Sequence, residues 1–169
     1  MSEPTLQPLE SLVALEAMAR RREASRTFGA RCLAPDDDWR RELPAAGADL
    51  VFELSGNPAG LDLAIVAAGR EARVVVGSWY GDKRHPVDLG GHFHRGRLRI
   101  ISSQVSHLSP ALGVRWDRAR RTTVAFAALA GIDTRALVSH RFAPTDAQVA
   151  YRLLDERPGE ALQVLFRYE

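Results

Sequence analysis

The chain has 169 residues, of which 46% are hydrophobic and 26% are charged, with a net charge of +2. This size and composition are typical of one globular domain and argue against overall disorder. No run reaches the roughly 18 apolar residues of a membrane span, and the first ten residues lack the basic and apolar regions of a secretory signal. The single cysteine, Cys32, excludes an internal disulfide and a four-cysteine zinc site. We therefore expect a cytoplasmic protein with no membrane partner, and a buried packing role for Cys32.

Arginines cluster in three segments, at residues 20–22, 95–99 and 118–121. Nucleic-acid binding would require basic residues on one face, interleaved with aromatic side chains on which bases stack. Each segment instead has acidic residues nearby, as solvated helix faces commonly do. We predict no nucleic-acid partner.

Short apolar runs alternate with segments of helical periodicity along the whole chain. In chain order we predict a strand at 11–16, a helix at 18–28, a short strand at 31–35, a short helix starting at 36–38, a strand at 48–54, a helix at 57–69, strands at 72–78 and 98–105, a helix at 115–130, a strand at 136–142, a helix at 145–155 and a strand at 161–168. Continuous apolar strands linked by helices are typical of a parallel sheet that is buried on both faces. The pattern predicts an α/β fold with a mainly parallel sheet.

Capping signals define two of these helices. Asn57 followed by Pro58 is typical of a helix start, and Gly69 is placed to close that helix with a positive φ. Thr145 and Gln148 have the spacing of a capping box at the start of the last helix.

The first predicted strand ends at an acidic residue, Glu16. In nucleotide-binding βαβ folds, an acid at such a strand end accepts hydrogen bonds from the adenosine ribose hydroxyls. A solvated strand end would explain the same residue, because acids often flank strands. Taken alone, Glu16 leaves both interpretations open.

A longer series of segments carries a family resemblance. VALE, ARRREASRTFGA and AP are followed by GADLVFELSGNPAGLDLAIVAAGREARVVVGSWYG and then by FHRGRLRIISSQV. In this order they resemble the nucleotide-binding domain of zinc-type medium-chain dehydrogenases. LVSHRF and AYRLLDERPGEALQVLFRY resemble the same family's return to its catalytic domain. The resemblance covers about residues 11–169 and implies an N-terminal extension (1–10), a partial Rossmann-like nucleotide-binding domain (11–135) and a C-terminal returning segment (136–169).

The resemblance also implies which residues would contact an NAD(H) cofactor, all of them at strand ends or in the loops that follow. These residues are Glu16, Ser55, Gly56, Val76, Gly77, Ser78, Ser103 and Gln104. Glu16 would bind the ribose and disfavour the 2′-phosphate of NADP, although nearby arginines blur that preference. The loop after the 48–54 strand would pass the adenosine side, and the two following strand ends would line the nicotinamide cleft. Ordinary turn chemistry explains the same residue types equally well.

Several parts of that family are missing from the sequence. No G-x-G-x-x-G segment occurs, and only ten residues precede the first predicted strand. The zinc ligands and the four structural cysteines are absent as well. His85, His92 and His94 lie close together, but surface or cleft histidines explain them better than a metal site. We therefore predict no catalytic residues and no metal, and NAD(H) binding that is weak or absent. The resemblance implies a relative of NAD(P)-dependent oxidoreductases of alcohols, aldehydes or ketones that is inactive alone. The alternative is a non-catalytic interaction or assembly module.

The missing first strand would be central in a Rossmann sheet of order 3-2-1-4-5-6. We predict that the 11–16 strand closes this gap by pairing in parallel with the 48–54 strand, giving the order 3-2-4-5-6. The alternative is a partly molten chain that awaits a partner's strand. We also expect self-association, or a partner chain that supplies the missing parts, with Leu162, Val164 and Phe166 uncovered.

Overall fold

Helices and short strands alternate in the order that the apolar pattern predicts. The structure, a computed structural model, describes residues 9–168. The strands are β1 (Val13–Leu15), β2 (Arg31–Leu33), β3 (Ala48–Glu53), β4 (Ala68–Val76), β5 (Arg99–Ser102), β6 (Val138–Phe142) and β7 (Gln163–Phe166). The α-helices are α1 (Ala19–Thr27), α2 (Ala59–Ala67), the single turn α3 (His94–Gly96), α4 (Arg118–Leu129) and α5 (Ala147–Glu156). Within residues 9–168, no helix has the length and apolar character needed to cross a membrane.

The described residues divide into two compact units, and the first contains residues 9–39 and 124–168. In this unit β1 pairs in parallel with β2, and β6 pairs in parallel with β7. The guanidinium of Arg20 on α1 donates to the carbonyl oxygen of Glu160 over 2.6 Å, which links the two ends of the unit. Cys32 on β2 is buried, so its predicted packing role is confirmed.

The second unit, Arg40–Thr123, is built on a three-stranded parallel sheet of order β3-β4-β5. Val74 at the centre of β4 is fully buried, and it packs with Ala64 and Ile65 of α2. The helix between β3 and β4 thus returns the chain for parallel pairing and covers one face of the sheet.

The predicted pairing of the 11–16 strand with the 48–54 strand is wrong. β1 pairs with β2 alone, and β3 pairs with β4 alone, among the strands of residues 9–168. The adjacent pairs within the order 3-2-4-5-6 are otherwise present. β1 has only three residues and therefore makes few ladder hydrogen bonds. It finds its partner locally, because α1 brings the chain straight back alongside it, and local pairing loses less conformational entropy.

Within the described residues of the second unit, only one face of the sheet is covered, whereas the apolar pattern predicts burial on both. The covered row contains Val51, Val74 and Ile100. The opposite row places Phe52 beside Val75 and Ile101, and there Phe52 is 60% and Ile101 43% exposed. The reason is that α2 and the turn at Phe93 both pack on the first face.

The helix boundaries test the predicted capping signals. Asn57 accepts a hydrogen bond from the amide of Ala59 through its side-chain oxygen, as predicted for a cap. Gly69 does not close α2 with a positive φ, because Ala68 is already extended and the chain enters β4 directly. The Thr145–Gln148 capping box is not formed either. Pro144–Asp146 makes a separate 3₁₀ turn there, and no side chain caps α5.

The last strand is better covered than predicted. Leu162, Val164 and Phe166 are half-buried rather than exposed. β7 pairs with β6, with Phe166 opposite Phe142. The exposed apolar residues of this segment are Leu165 and Tyr168, and self-association through this strand stays a prediction.

Candidate functional site

The carboxyl ends of three parallel strands meet at one edge of the second unit. β3, β4 and β5 end at Glu53, Val76 and Ser102, which are neighbours in register. In open α/β sheets, ligands bind in the crevice outside this edge, because the loops that leave the strands diverge there. Seven of the eight residues implied as cofactor contacts lie at or just beyond these strand ends.

Hydrogen bonds join the loop after β3 to the end of β4. The amide of Gly77 donates to the carbonyl oxygen of Glu53 over 3.0 Å. The amide of Gly56 donates to the hydroxyl of Ser78 over 2.8 Å, and that hydroxyl lies 3.4 Å from the Glu53 carbonyl oxygen. The structure thus brings Ser55 and Gly56 together with Gly77 and Ser78.

The end of β5 makes a weaker contribution to the cleft. The amide of Ser103 donates to the carbonyl oxygen of Val76 over 2.8 Å and extends the β4–β5 ladder by one residue. The side-chain oxygen of Gln104 accepts a hydrogen bond from the amide of Ser106 in its own loop. Ser103 is therefore placed beside the end of β4, whereas Gln104 stabilises a local turn.

Glu16 lies in the other unit, directly after β1. Its carboxylate accepts a hydrogen bond from the amide of Met18 over 2.8 Å at the start of α1. The guanidinium of Arg22 donates to the carbonyl oxygens of Glu16 and Ala17 over 2.8 and 2.6 Å. Glu16 thus helps to begin α1, and its implied ribose-binding role stays a prediction.

The structure adds a group that the sequence analysis did not single out, the carboxylate of Glu53. This side chain is 3% exposed. It accepts hydrogen bonds from the amide and the hydroxyl of Ser55, over 2.8 and 2.5 Å, and from the hydroxyl of Tyr80 over 2.5 Å. An acid directly after the apolar run Leu50–Phe52 was the available signal.

Two pKa shifts follow from this arrangement. Burial raises the pKa of Glu53, but hydrogen bonds to its carboxylate, chiefly from Ser55 and Tyr80, outweigh it, and the net pKa lies below its usual range. Burial, the hydrogen bond to Glu53 and the negative charge of that carboxylate all raise the pKa of Tyr80. Glu53 is therefore an anion and Tyr80 a neutral donor near neutral pH.

Whether a cofactor could fit beyond these strand ends depends on the space around Gly56 and Gly77. Gly56 has a φ of +69°, and a Cβ there would meet nothing within 4 Å, so a ligand can lie against its backbone. At Gly77 a Cβ would lie 2.6 Å from the end of Leu54, so that space is already filled by a flexible side chain. Gly56 therefore fits the implied close contact better than Gly77 does.

The histidines have other partners than a metal. His85 lies 2.7 Å from the carboxylate of Asp62, and His92 lies 2.7 Å from the carbonyl oxygen of Ala68. Among residues 9–168, no group of three or more His, Cys, Asp or Glu side chains could hold a metal ion. The described residues thus offer no zinc site.

The parallel pairs, the crossover helices and the carboxyl-edge loops define an incomplete Rossmann-like α/β fold, as predicted. No protein-family model matches the sequence, and no curated protein matches it either. Solved structures do match in fold. L-idonate 5-dehydrogenase from Escherichia coli superimposes with a TM-score of 0.71 at 18% identity, over 94% of this chain and 43% of that one.

Two further solved structures are similar. A short chain alcohol dehydrogenase from E. coli complexed with the cofactor NADH has a TM-score of 0.74 at 15% identity, over 95% of this chain and 45% of that one. An alcohol dehydrogenase from Thermus has a TM-score of 0.71 at 23% identity, over 94% and 44%. The resemblance to the dehydrogenases is confirmed for the fold, and the chain spans less than half the length of these solved proteins.

Proposed function

We propose that this chain is most of the cofactor-binding part of an NAD(H)-dependent oxidoreductase acting on alcohols or polyols. The supporting observation is the pair of loops, after β3 and β4, that are hydrogen-bonded to each other at the carboxyl edge of a parallel sheet. A structural neighbour described as an alcohol dehydrogenase complexed with NADH shares the fold over 95% of this chain.

In this proposal the loops after β3 and β4 bind the cofactor and the chain alone is a poor or inactive catalyst. Gly56 presents open backbone to the adenosine side, while Val76 and Ser78 line the nicotinamide side. The cofactor supplies the hydride chemistry when bound, and the protein residues position it.

We expect the purified chain to bind NADH weakly, with a dissociation constant in the high micromolar range or above. Pyrophosphate is normally held by backbone amides in a Gly-rich loop at a helix N-terminus, and the sequence contains no such loop. Each missing charge-assisted hydrogen bond removes about 1.5–3 kcal/mol, so affinity falls by orders of magnitude. Titration with NADH, followed by nucleotide fluorescence, measures the constant.

A matched pair of variants makes this titration specific for the cleft. Gly56 and Gly113 have φ values of +69° and +68°, and a Cβ at either meets nothing within 4 Å. Gly56→Ala should weaken NADH binding further, whereas Gly113→Ala should not. Low-micromolar affinity of the unmodified chain, or equal effects of both substitutions, would contradict the proposal.

The exposed sheet face supports a second candidate function, an interaction or assembly module. Parallel sheets are almost always covered on both faces, yet Phe52 and Ile101 are exposed on the open face of this one. We expect concentration-dependent self-association that NADH does not alter, measured by size-exclusion chromatography with light scattering. Phe52→Gln should shift the chain toward the monomer, and Val114→Gln, at a fully exposed position outside the sheet, should not. A monomer at all micromolar concentrations would rule out self-association through this face.

A further inference from the structure

Glu53 is the only charged side chain that is buried among the described residues. Its carboxylate is held by three neutral donors, the amide and hydroxyl of Ser55 and the hydroxyl of Tyr80. Burying a carboxylate is costly unless hydrogen bonds replace its hydration. Ser55 lies in the loop after β3 and Tyr80 in the loop after β4, so the carboxylate connects these two loops.

The first turn of α2 is fitted closely around the same carboxylate. A Cβ at Gly60 would lie 2.5 Å from the hydroxyl oxygen of Ser55 and 2.9 Å from a carboxylate oxygen of Glu53. Glycine is otherwise disfavoured inside a helix relative to alanine. Its presence here is explained by the space that the Glu53–Ser55 hydrogen bond occupies.

The loop after β4 is tied back at two points. Tyr80 reaches the Glu53 carboxylate, and the ammonium of Lys83 donates to the carbonyl oxygen of Gly56 over 3.0 Å. Lys83 is exposed, and exposed polar contacts contribute little. The Tyr80 contact is partly buried and ends on an anion, so it is the stronger of the two.

We propose that Glu53 is a positioning residue that holds the loops at residues 54–57 and 77–83 in their cofactor-binding arrangement, with Tyr80 as its tether to the second loop. The inference rests on the proposed function for its role in NADH binding. Glu53 touches no cofactor in this scheme; it acts through the Ser55–Gly56 backbone on one side and the Gly77–Tyr80 segment on the other.

Amide hydrogen exchange followed by mass spectrometry tests the inference in the full chain. Tyr80→Phe removes one hydroxyl and keeps the ring. We expect exchange in residues 54–57 and 77–83 to become roughly tenfold faster, as loss of a hydrogen bond to a charged group predicts, while exchange in the buried part of β4 (residues 72–75) stays unchanged. Tyr151→Phe, at an exposed tyrosine on α5, is the matched control and should change neither loop.

A second variant, Glu53→Gln, removes the negative charge of this side chain but keeps its ability to form hydrogen bonds. The side-chain oxygen of the glutamine can still accept hydrogen bonds from Ser55, and its side-chain NH2 group can donate a hydrogen bond to the Tyr80 oxygen. We expect it to retain more loop protection than Tyr80→Phe does. Unchanged exchange in Tyr80→Phe, or an equal rise in the loops and in β4, would overturn the positioning role.

The NADH titration distinguishes this inference from the proposed function. If the unmodified chain binds NADH, Tyr80→Phe should raise the dissociation constant roughly tenfold, and an unchanged constant would contradict the link to binding. If the unmodified chain shows no binding even at millimolar NADH but the loops exchange faster in Tyr80→Phe, the proposed function fails and the loop-positioning role is supported.

Discussion

Gly69→Ala is expected to lower the free energy of unfolding by about 3 kcal/mol, at the upper end of what overpacking costs. A Cβ at Gly69 would lie 2.3 Å from the carbonyl oxygen of Ala46. That oxygen belongs to the backbone before β3 and cannot rotate away as a side chain does. At Gly47, which has a φ of +82°, a Cβ would lie 2.7 Å from the Cα of Gly69. The two glycines therefore allow the backbones at the starts of β3 and β4 to approach each other closely.

Urea denaturation followed by circular dichroism measures this effect, and the midpoint should fall while the slope stays constant. For a chain of this size the melting temperature should drop by about 6–12 °C. Gly131→Ala is the matched control, because a Cβ at Gly131 meets nothing within 4 Å, and its effect should stay within about 0.5 kcal/mol. If Gly69→Ala were as stable as Gly131→Ala, the close backbone contact between Gly69 and Ala46 would be contradicted.

Glu53→Ala is expected to cost about 3 kcal/mol as well. The substitution leaves the amide and hydroxyl of Ser55 and the hydroxyl of Tyr80 without their acceptor. Buried donors left without an acceptor cost about 1–3 kcal/mol each, and because Ser55 is exposed and Tyr80 half-buried, water can reach both and limits the sum. Glu53→Gln retains acceptor capacity and should cost less.

The same carboxylate should make stability depend on pH in the acid range. The folded-state pKa of Glu53 lies below its ordinary value of 4.5. Its contribution is therefore complete above about pH 4.5 and is lost as the pH falls through the folded-state pKa. We expect Glu53→Gln to reduce this loss when urea midpoints are compared between pH 7 and pH 3. Asp49→Asn, at an exposed carboxylate of the same strand, should retain the acid dependence of the unmodified chain. An identical profile for Glu53→Gln would refute the stabilising role of the anion.

Sequence patterns predicted the helices and strands well because residues close together in the chain determine them. The apolar runs of β3 and β4 and the Asn57 cap of α2 each depend on residues within one or two turns of chain. Gly29, just after the predicted 18–28 helix, has a φ of +83° and lies two residues beyond the end of α1. The capping box at Thr145 failed because Pro144 begins a separate 3₁₀ turn there.

The candidate site was predicted in part. Ser55, Gly56, Gly77 and Ser78 were implied as strand-end residues, and hydrogen bonds do bring their loops together. Glu53 was not singled out, since an acid at the end of a strand is as compatible with solvent as with burial. Its partner Tyr80 lies 27 residues further along the chain, and no periodicity within either segment indicates that contact.

The sequence by itself determined the order of elements, the parallel character of the sheet, the burial of Cys32 and the resemblance that the fold confirms. Only the tertiary structure decided which strands pair, which face of the β3-β4-β5 sheet is covered, and why Gly69 and Gly60 are glycines. The physical reason is distance along the chain. Helix and strand propensities come from neighbouring residues, whereas the choice of a strand partner and the close approach of Gly69 to Ala46 depend on segments that meet only after folding.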